Sequence, residues 1–496
     1  MGDYLLGIDI GTSAAKCCVI DADGNYLGEA AVEYPAAPQT AGRSERDPED
    51  WYRSIPALVG TISGRNPDLI GRVRAVGVTG QMRGPTFVDG SGGIVRDSIL
   101  WNDLRCSREV DEIQDRIGGL IRSVTRNPLN TMCTLPKLVW MMREEPDAWE
   151  KTTRVIFPKD YIAFRLTGSL QTDPSDASGS SFYDLRGRAW SEEILGAFLI
   201  GADKLPPVVP SSTVVGTVTR DASALTGIPE GIPVVAGASD AVTELFAAGI
   251  SNPSGCKIRL GTSGALSTVT EDLDATKNDL LYVWSYLEPT QWMLDINTRS
   301  CAQATDWLRD LAFGGPADDG YRTMEREAAV VPAGAEGLTF HPYLMGEDAP
   351  YWDPRLRGSF TGVTARHSRG HFVRAVYEGT AFALRDAFGC LGVRGEGFSE
   401  FTVVGGGARN RLWTGIVLDV LGVNGRVPEH AGAALGAAML AGVGIRTFGS
   451  FREAAGACRV GGDIVKHSIE NHAVYTRLFE RYRTIKEALD PVYDLG

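Results

Sequence analysis

A Gly-Thr-Ser turn set between two apolar runs occurs twice in this chain, and it restricts the possible folds more than any other feature. The first copy reads YLLGIDIGTSAAKCCVID, with the turn at 11–13, and the second reads KIRLGTSGALSTVTED, with the turn at 261–263. Around the first copy, residues 5–10 and 14–20 read as strands, Asp21 to Gly24 as a second turn and Tyr26 to Tyr34 as a third strand, which together make an antiparallel meander. A helix-like segment, Asp50 to Ser63, and a buried strand, Val73 to Thr79, follow, and that strand runs into GQMRG.

The second half repeats the order. Gly255 to Leu260, Ala265 to Thr270 and Leu281 to Tyr286 read as strands, Thr298 to Leu311 as a helix, and Phe401 to Val404 as a strand ending in three glycines, 405–407. The copies lie about 250 residues apart, far too long a period for a solenoid, so the pattern predicts two α/β domains with mixed sheets flanked by helices. The small and turn residues AAGISNPSG place the boundary near 245–255, giving domains 1–247 and 248–496. At the end of the chain, Val474, Leu478, Tyr482, Ile485 and Leu489 share one face of a predicted helix that packs on the body.

The formal charge of -13 argues against a nucleic-acid partner, which calls for a basic face. Eight cysteines without a CxxC pair read as reduced thiols of a cytoplasmic protein, with Cys17 and Cys18 on opposite faces of one strand. The N-terminal apolar run is broken by Asp9 and lacks a basic leader, so it reads as a strand, and no stretch has the length of a membrane span.

A strand that ends in Asp9 and turns through Gly11, Thr12 and Ser13 sets backbone N–H groups and hydroxyls beside a carboxylate, with Lys16 close by. Such a turn can cradle phosphate oxygens, and the acid can hold Mg²⁺ through water. One Gly-Thr-Ser alone also suits a plain hairpin; the second copy favours the phosphate reading. No GxxxxGK[ST] loop is present. The GGGARNRLW turn is suited to the face of a base or an adjoining phosphate. In VVAGASDAVTELFAAG, Asp240 opens a helix whose N-terminus favours its ionised form, so it can serve as a base or simply as a cap. All six histidines lie at or after 341, which leaves a base in the first half to a carboxylate, and no GxSxG or HExxH motif occurs.

The chain resembles the FGGY carbohydrate kinases, members of the actin, hexokinase and Hsp70 superfamily, over nearly its whole length. Two signatures of that family are MCTLPKLVWMMRE at 132–144 and GSFTGVTARHSRGHFVRAVYE at 358–378. SERDPEDWY, LWNDLRC, PKDYIAFRLTG and TDPSDASG resemble xylulose-phosphorylating members. The resemblance implies two actin-like, ribonuclease H-like domains around a cleft, ATP with Mg²⁺, and a small sugar or polyol as substrate. It implies Asp240 as the catalytic base and Asp9 as the acid beside metal and phosphates. Thr12, Ser13 and Lys16 match the first phosphate hairpin, Gly261 and Thr262 the second; Gly406, Gly407 and Asn410 match a nucleotide turn, and Ala302 and Asp306 another nucleotide segment. Family members often dimerise, so a homodimer is open to this chain.

The chain departs from the family at the sugar. GQMHG is replaced by Gly80-Gln81-Met82-Arg83-Gly84, and the residue after the base, usually Asn or Gln, is Ala241. A guanidinium fork does not present the geometry of an imidazole. Trp101, Asn102 and Asp103 are expected in the sugar wall beside Gln81, Met82 and Arg83, since an indole face packs on sugar C–H groups while amides and carboxylates bind hydroxyls. The expected reaction is phosphorylation of a terminal ketose hydroxyl, D-xylulose first. Ribulose, erythritol or glycerol are alternatives, and an actin-like ATPase switch is the alternative outside sugar chemistry.

Overall fold

Strands Tyr4–Ile10, Ala14–Asp21 and Tyr26–Glu33 form the expected meander, with Asp9 directly opposite Lys16 across the first hairpin. Val73–Gly80 lies parallel to Tyr4–Ile10 on the other side. The computed structural model describes residues 3–36, 42–275, 280–315, 319–391, 398–458 and 461–493. In it the first half builds a mixed seven-stranded sheet from strands before residue 240, and the second half builds another from strands after residue 254. In the second sheet Gly255–Leu260 pairs antiparallel with Gly264–Thr270 and parallel with Glu400–Val404. The GQMRG and triple-glycine turns therefore leave equivalent strands of the two sheets.

The helix Pro48–Arg65 shows how local sequence sets these elements. Asp47 accepts from the Glu49 N–H at 2.9 Å, Pro48 opens the first turn, and Arg65 closes the last. Trp51, Ile55, Leu58 and Ile62 form its buried stripe against the first sheet. Cys17 and Cys18 enter separate cores on opposite faces of that sheet.

Two expectations need correcting. Thr298 does not start a helix: it ends a strand, Trp292–Thr298, that pairs with both Gly264–Thr270 and Tyr282–Ser285, and the helix is Ala302–Ala312. The C-terminal helix, Ile469–Tyr493, buries Tyr475, Phe479 and Tyr482, a face turned by about one residue from the aliphatic one expected. Its hydroxyls decide the face, because Tyr475 bonds Arg374 and Glu378, and Tyr482 bonds Tyr343, inside the core.

One second-half helix, Ala433–Gly444, lies against the first sheet, and its contact depends on missing side chains. A Cβ on Gly77 would stand 1.9 Å from the Ala437 carbonyl oxygen, and one on Gly7 would stand 1.9 Å from that of Ala434. Gly77→Ala is expected to lower stability by about 1–3 kcal/mol or more, read as a fall in the urea midpoint. Gly64→Ala, exposed in a helix with no atom within 4 Å of the added carbon, is the control and should raise the midpoint slightly, by about 0.4–1 kcal/mol.

Candidate active site

Two cavities are lined by residues of both halves, and a third is lined by the second half alone. The first, about 350 Å³, is lined by Asp9 and Lys16 from the first hairpin, Asp240 and Glu244 from the helix Asp240–Ala247, and Lys257 and Arg259 from the strand feeding the second hairpin. Spacing explains the grouping: Asp9 and Lys16 are cross-strand partners, Asp240 and Glu244 are one helical turn apart, and Lys257 and Arg259 are two apart on one strand face.

Four carboxylates, with Asp295 the fourth, face three cations in this cavity. Burial, with Asp240 and Glu244 adding and Lys16 opposing, raises Asp9 to about 7. Burial raises Asp240 to about 6; the Ala241 N–H, donating to Asp240 Oδ1 at 2.8 Å, and the cations Arg259 and Lys257 oppose it, while Glu244 adds to the rise. The helix N-terminus therefore does not hold Asp240 at an ordinary aspartate value, because desolvation outweighs it. Glu244 is also pushed up by burial but ends below the usual range, since Lys257 binds it at 2.7 Å. Asp9 Oδ1 is buried without a partner. Among the described residues no group of three His, Cys, Asp or Glu side chains is arranged to hold a metal. The donor set thus suits a hydrated cation leaning on Asp9 and on a ligand's oxygens rather than a protein cage.

The second cavity, about 380 Å³, shares Asp240, Ala241, Arg259 and Asp295 with the first and continues past Met82, Arg83 and Trp101. Arg83 is 8% exposed, has a φ of 67°, and lies over Tyr282 and Trp284 at 4.9 and 4.7 Å. Its carbonyl accepts from Thr134 and Lys137, and its Nη1 touches Met132 Sδ at 3.5 Å, so the MCTLPK segment shapes this turn. No carboxylate among the described residues pairs with it.

Trp101 lines this cavity, and its indole N–H donates to Thr12 Oγ at 3.0 Å, while the Thr12 hydroxyl donates to Gln81 Oε1 at 3.2 Å. Gln81 is buried and tied to the Gly11 carbonyl, behind the wall rather than on it. Asn102 is exposed and outside the lining. Asp103 is fully buried, with its oxygens taken by Arg105 and the Ser44 N–H, so it cannot reach a sugar. Ser13 is exposed at the hairpin tip. The alternating pairs Lys257/Arg259 and Asp295/Asn297, and Glu244 one turn after Asp240, line these cavities although nothing in the sequence reading singled them out.

The third cavity, about 780 Å³, is lined by Gly261, Thr262, Ala302, Asp306, Gly406, Gly407 and Asn410, among others. The Gly261 and Thr262 carbonyls accept from the N–H groups of Ala302 and Cys301, which joins the hairpin to the Ala302–Ala312 helix. Asn410 caps the Arg411–Leu421 helix through Trp413 N at 2.8 Å, and Asp306 accepts from the Tyr321 hydroxyl. Gly405 has a φ of +94°, and a Cβ there would stand 2.7 Å from the Leu260 carbonyl, so this turn fits only glycine.

Behind Asp240 lies a buried charge cluster. Lys159 Nζ meets Asp160 at 2.5 Å, Asp173 at 3.1 Å and Asp176 at 3.7 Å, all without exposure. One cation cannot neutralise three carboxylates, and burial pushes Asp176 well above the carboxylate range. Asp173 holds Ser175 Oγ at 2.7 Å, and Ser175 Oγ accepts the Ser239 N–H at 2.8 Å, fixing the residue before Asp240.

Twin mixed sheets, each opening with a Gly-Thr-Ser hairpin, with Asp9 and Asp240 of the first half and Arg259 of the second lining one cavity, have the actin-like, ribonuclease H-like fold of a phosphotransferase. Residues 4–247 match the FGGY family of carbohydrate kinases, N-terminal domain, and residues 256–445 match its C-terminal domain. The chain belongs to the FGGY family of carbohydrate kinases and is a sugar phosphotransferase, a family that implies ATP as donor. It is 31% identical to the xylulose kinase of Bacillus subtilis over 484 residues, 97% of this chain and 96% of that one. The xylulose kinase structure from Rhodospirillum rubrum superposes with a TM-score of 0.90 at 28% identity, covering 99% of this chain and 100% of that one. Gluconate kinase from Lactobacillus acidophilus gives a TM-score of 0.90 at 25% identity, covering 100% and 99%. Membership sets aside the ATPase switch. No helix among the described residues is long and apolar enough to cross a membrane.

Ser175→Ala would leave the Ser239 N–H buried and unpaired. It is expected to cost about 1–3 kcal/mol of stability and to lower turnover roughly tenfold to a hundredfold. ADP affinity, measured by calorimetry, should not change.

Proposed function

We propose that this chain transfers the γ-phosphoryl group of ATP to the terminal hydroxyl of a ketose, converting D-xylulose to D-xylulose 5-phosphate. The observation that carries this reading is that Asp240 lines both the Arg83–Trp101 cavity and the Asp9–Lys16 cavity, so one carboxylate faces acceptor and donor together. The sugar lies in the former against Met82, Arg83 and Trp101. Lys16 and the hairpins at Thr12–Ser13 and Gly261–Thr262 hold the phosphates. The remaining nucleotide contacts are Ala302, Asp306, Gly406, Gly407 and Asn410.

Asp240 accepts the hydroxyl proton as the sugar oxygen attacks phosphorus in line and ADP leaves. Its elevated pKa suits that work, since a base near 6 is ionised at neutral pH and still takes a proton readily. Mg²⁺, held by Asp9 through water, would supply charge neutralisation on the phosphates. No disulfide joins the described cysteines, which suits a reducing cytoplasm.

A second reading concerns the sugar alone and is favoured by Arg83. An unpaired guanidinium on the cavity wall, with Ala241 in place of an amide, binds paired hydroxyls or a carboxylate as readily as a neutral ketose. An ADP-release assay over D-xylulose, ribulose, erythritol, glycerol and D-gluconate decides, and Arg83→His should shift the profile toward D-xylulose. If all five fail with ATP and Mg²⁺ present, the sugar-kinase reading is lost.

Asp240→Asn should reduce turnover by a factor on the order of 10² to 10⁴ with ADP affinity kept. For the wild type, kcat/KM should fall as pH drops through about 7 to 6, because Asp9 and then Asp240 take up protons and Asp240 is no longer a base, and should level off above that range. A limb near the ordinary aspartate value of 3.8 would contradict the burial argument.

A further inference from the structure

Of the two cations on the strand entering the second hairpin, one is neutralised and the other is not. Lys257 is buried and bound to Glu244 at 2.7 Å. Arg259, two residues on and facing the same way, has no carboxylate within ion-pair distance among the described residues. Its Nε is buried without a hydrogen-bond partner, and its one polar contact is a long one, Nη2 to Ser263 Oγ at 3.4 Å. Its stem lies against the hairpin, with Cγ 3.7 Å from where a Cβ of Gly261 would be. A half-buried guanidinium with unfilled donors is costly to fold around, and an anion arriving there removes that cost.

The location says which anion. Arg259 and Asp240 both belong to the wall shared by the sugar-side and phosphate-side cavities. A group at that wall meets neither the nucleoside nor the far end of the sugar; it meets what passes between them.

Resting on the kinase reading above, we propose that Arg259 is a catalytic residue whose guanidinium contacts the equatorial oxygens of the γ-phosphoryl group in transit. As the sugar O–P bond forms and the bond from phosphorus to the β,γ-bridging oxygen breaks, the hydroxyl proton goes to Asp240 and the electron pair leaves with ADP. Charge spreads over the three equatorial oxygens, and Arg259 supplies fixed donors where it develops. Lys16 and the hairpins act on the nucleotide phosphates before and after that event, so the two roles separate.

The test uses the full chain with Arg259→Gln and Arg259→Lys, after the wild type has shown turnover of a sugar from the panel; wild-type failure there rejects the kinase reading itself. Expected for Arg259→Gln is a kcat lower by about 10³ or more, with KM for the sugar and ADP affinity within about threefold of wild type. Arg259→Lys should recover part of the loss, since it restores charge without the fork. Three results would overturn the proposal. One is a kcat near wild type; another is a loss confined to sugar KM, which would make Arg259 a sugar contact. The third is a kcat restored by raising pH one or two units, which would mean that Arg259 only keeps Asp240 ionised. If Arg259→Gln does not fold, judged by its thermal midpoint, Arg259→Lys decides alone: an unchanged kcat rejects the role and a fall of tenfold or more with ADP affinity kept supports it.

Discussion

The seat of the Ala433–Gly444 helix on the first sheet is the contact on which the rest of the molecule depends. This helix comes from the second half of the chain, yet Ala434, Leu435, Ala438, Met439 and Leu440 share a core with Leu5, Cys18 and Ala75 from the first. Its backbone approaches the strands at Gly7 and Gly77, and at Gly436 it approaches Thr243, in the helix that carries Asp240. Small residues at these points let three elements touch through their backbones, and close packing transmits position with little slack. Thr79 on the central strand is hydrogen-bonded to Thr243 at 2.8 Å, which ties the same helix to the sheet below it. The carboxylate at 240 is thereby referenced to both halves at once.

That placement has an electrostatic cost which the charges around it offset. Asp9, Asp240, Glu244 and Asp295 are four acids in one cavity, and Lys16, Lys257 and Arg259 are three cations facing them. Only Lys257 and Glu244 are joined in a close pair. Asp9 and Asp240 are raised by burial, and Lys16 and Arg259 have no close carboxylate partner among the described residues, so the cavity is poised for ligand charge instead of being closed by internal ion pairs. The Lys159 cluster behind the Ser239 turn is the opposite case, closed off from solvent, and it acts on Asp240 through the hydrogen bond from Ser239 to Ser175 and through the charge of Asp176.

Strands and hairpins were legible in the sequence because their signals are local: apolar runs of strand length broken by glycine turns. Trp292–Thr298 was not, and the reason is functional. Asp295 and Asn297 give this strand a polar face that lines the sugar-side cavity, so its pattern looks unlike a buried strand. Resemblance carried Asp103 into the sugar wall, but the neighbouring Arg105 takes its carboxylate, an arrangement that depends on a loop bend no periodicity encodes. Lys257 and Arg259 did leave a signal: two cations at alternate positions in an apolar strand that runs straight into a glycine hairpin. The face of the C-terminal helix was misjudged because tyrosine hydroxyls found partners inside the core, which an apolarity count does not anticipate.

The joining of the sugar-side wall to the phosphate hairpin bears on why such a cavity belongs to a transferase and not to a nucleotide switch. Trp101 presents its indole to the cavity while its N–H is fixed on Thr12, and the Thr12 hydroxyl is in turn directed to Gln81, which also holds the Gly11 carbonyl. A molecule packed against the indole therefore bears, through three hydrogen bonds, on the backbone of the Gly11–Thr12 hairpin. The Thr12 hydroxyl is committed to Gln81, and the cationic donors lining the cavity beside Asp9 are Lys16, Lys257 and Arg259. In a cleft that must prefer sugar to water as acceptor, an acceptor site that stiffens the donor site ties phosphate alignment to sugar occupancy, because alignment of the reacting atoms is worth more to the rate than added affinity for either partner.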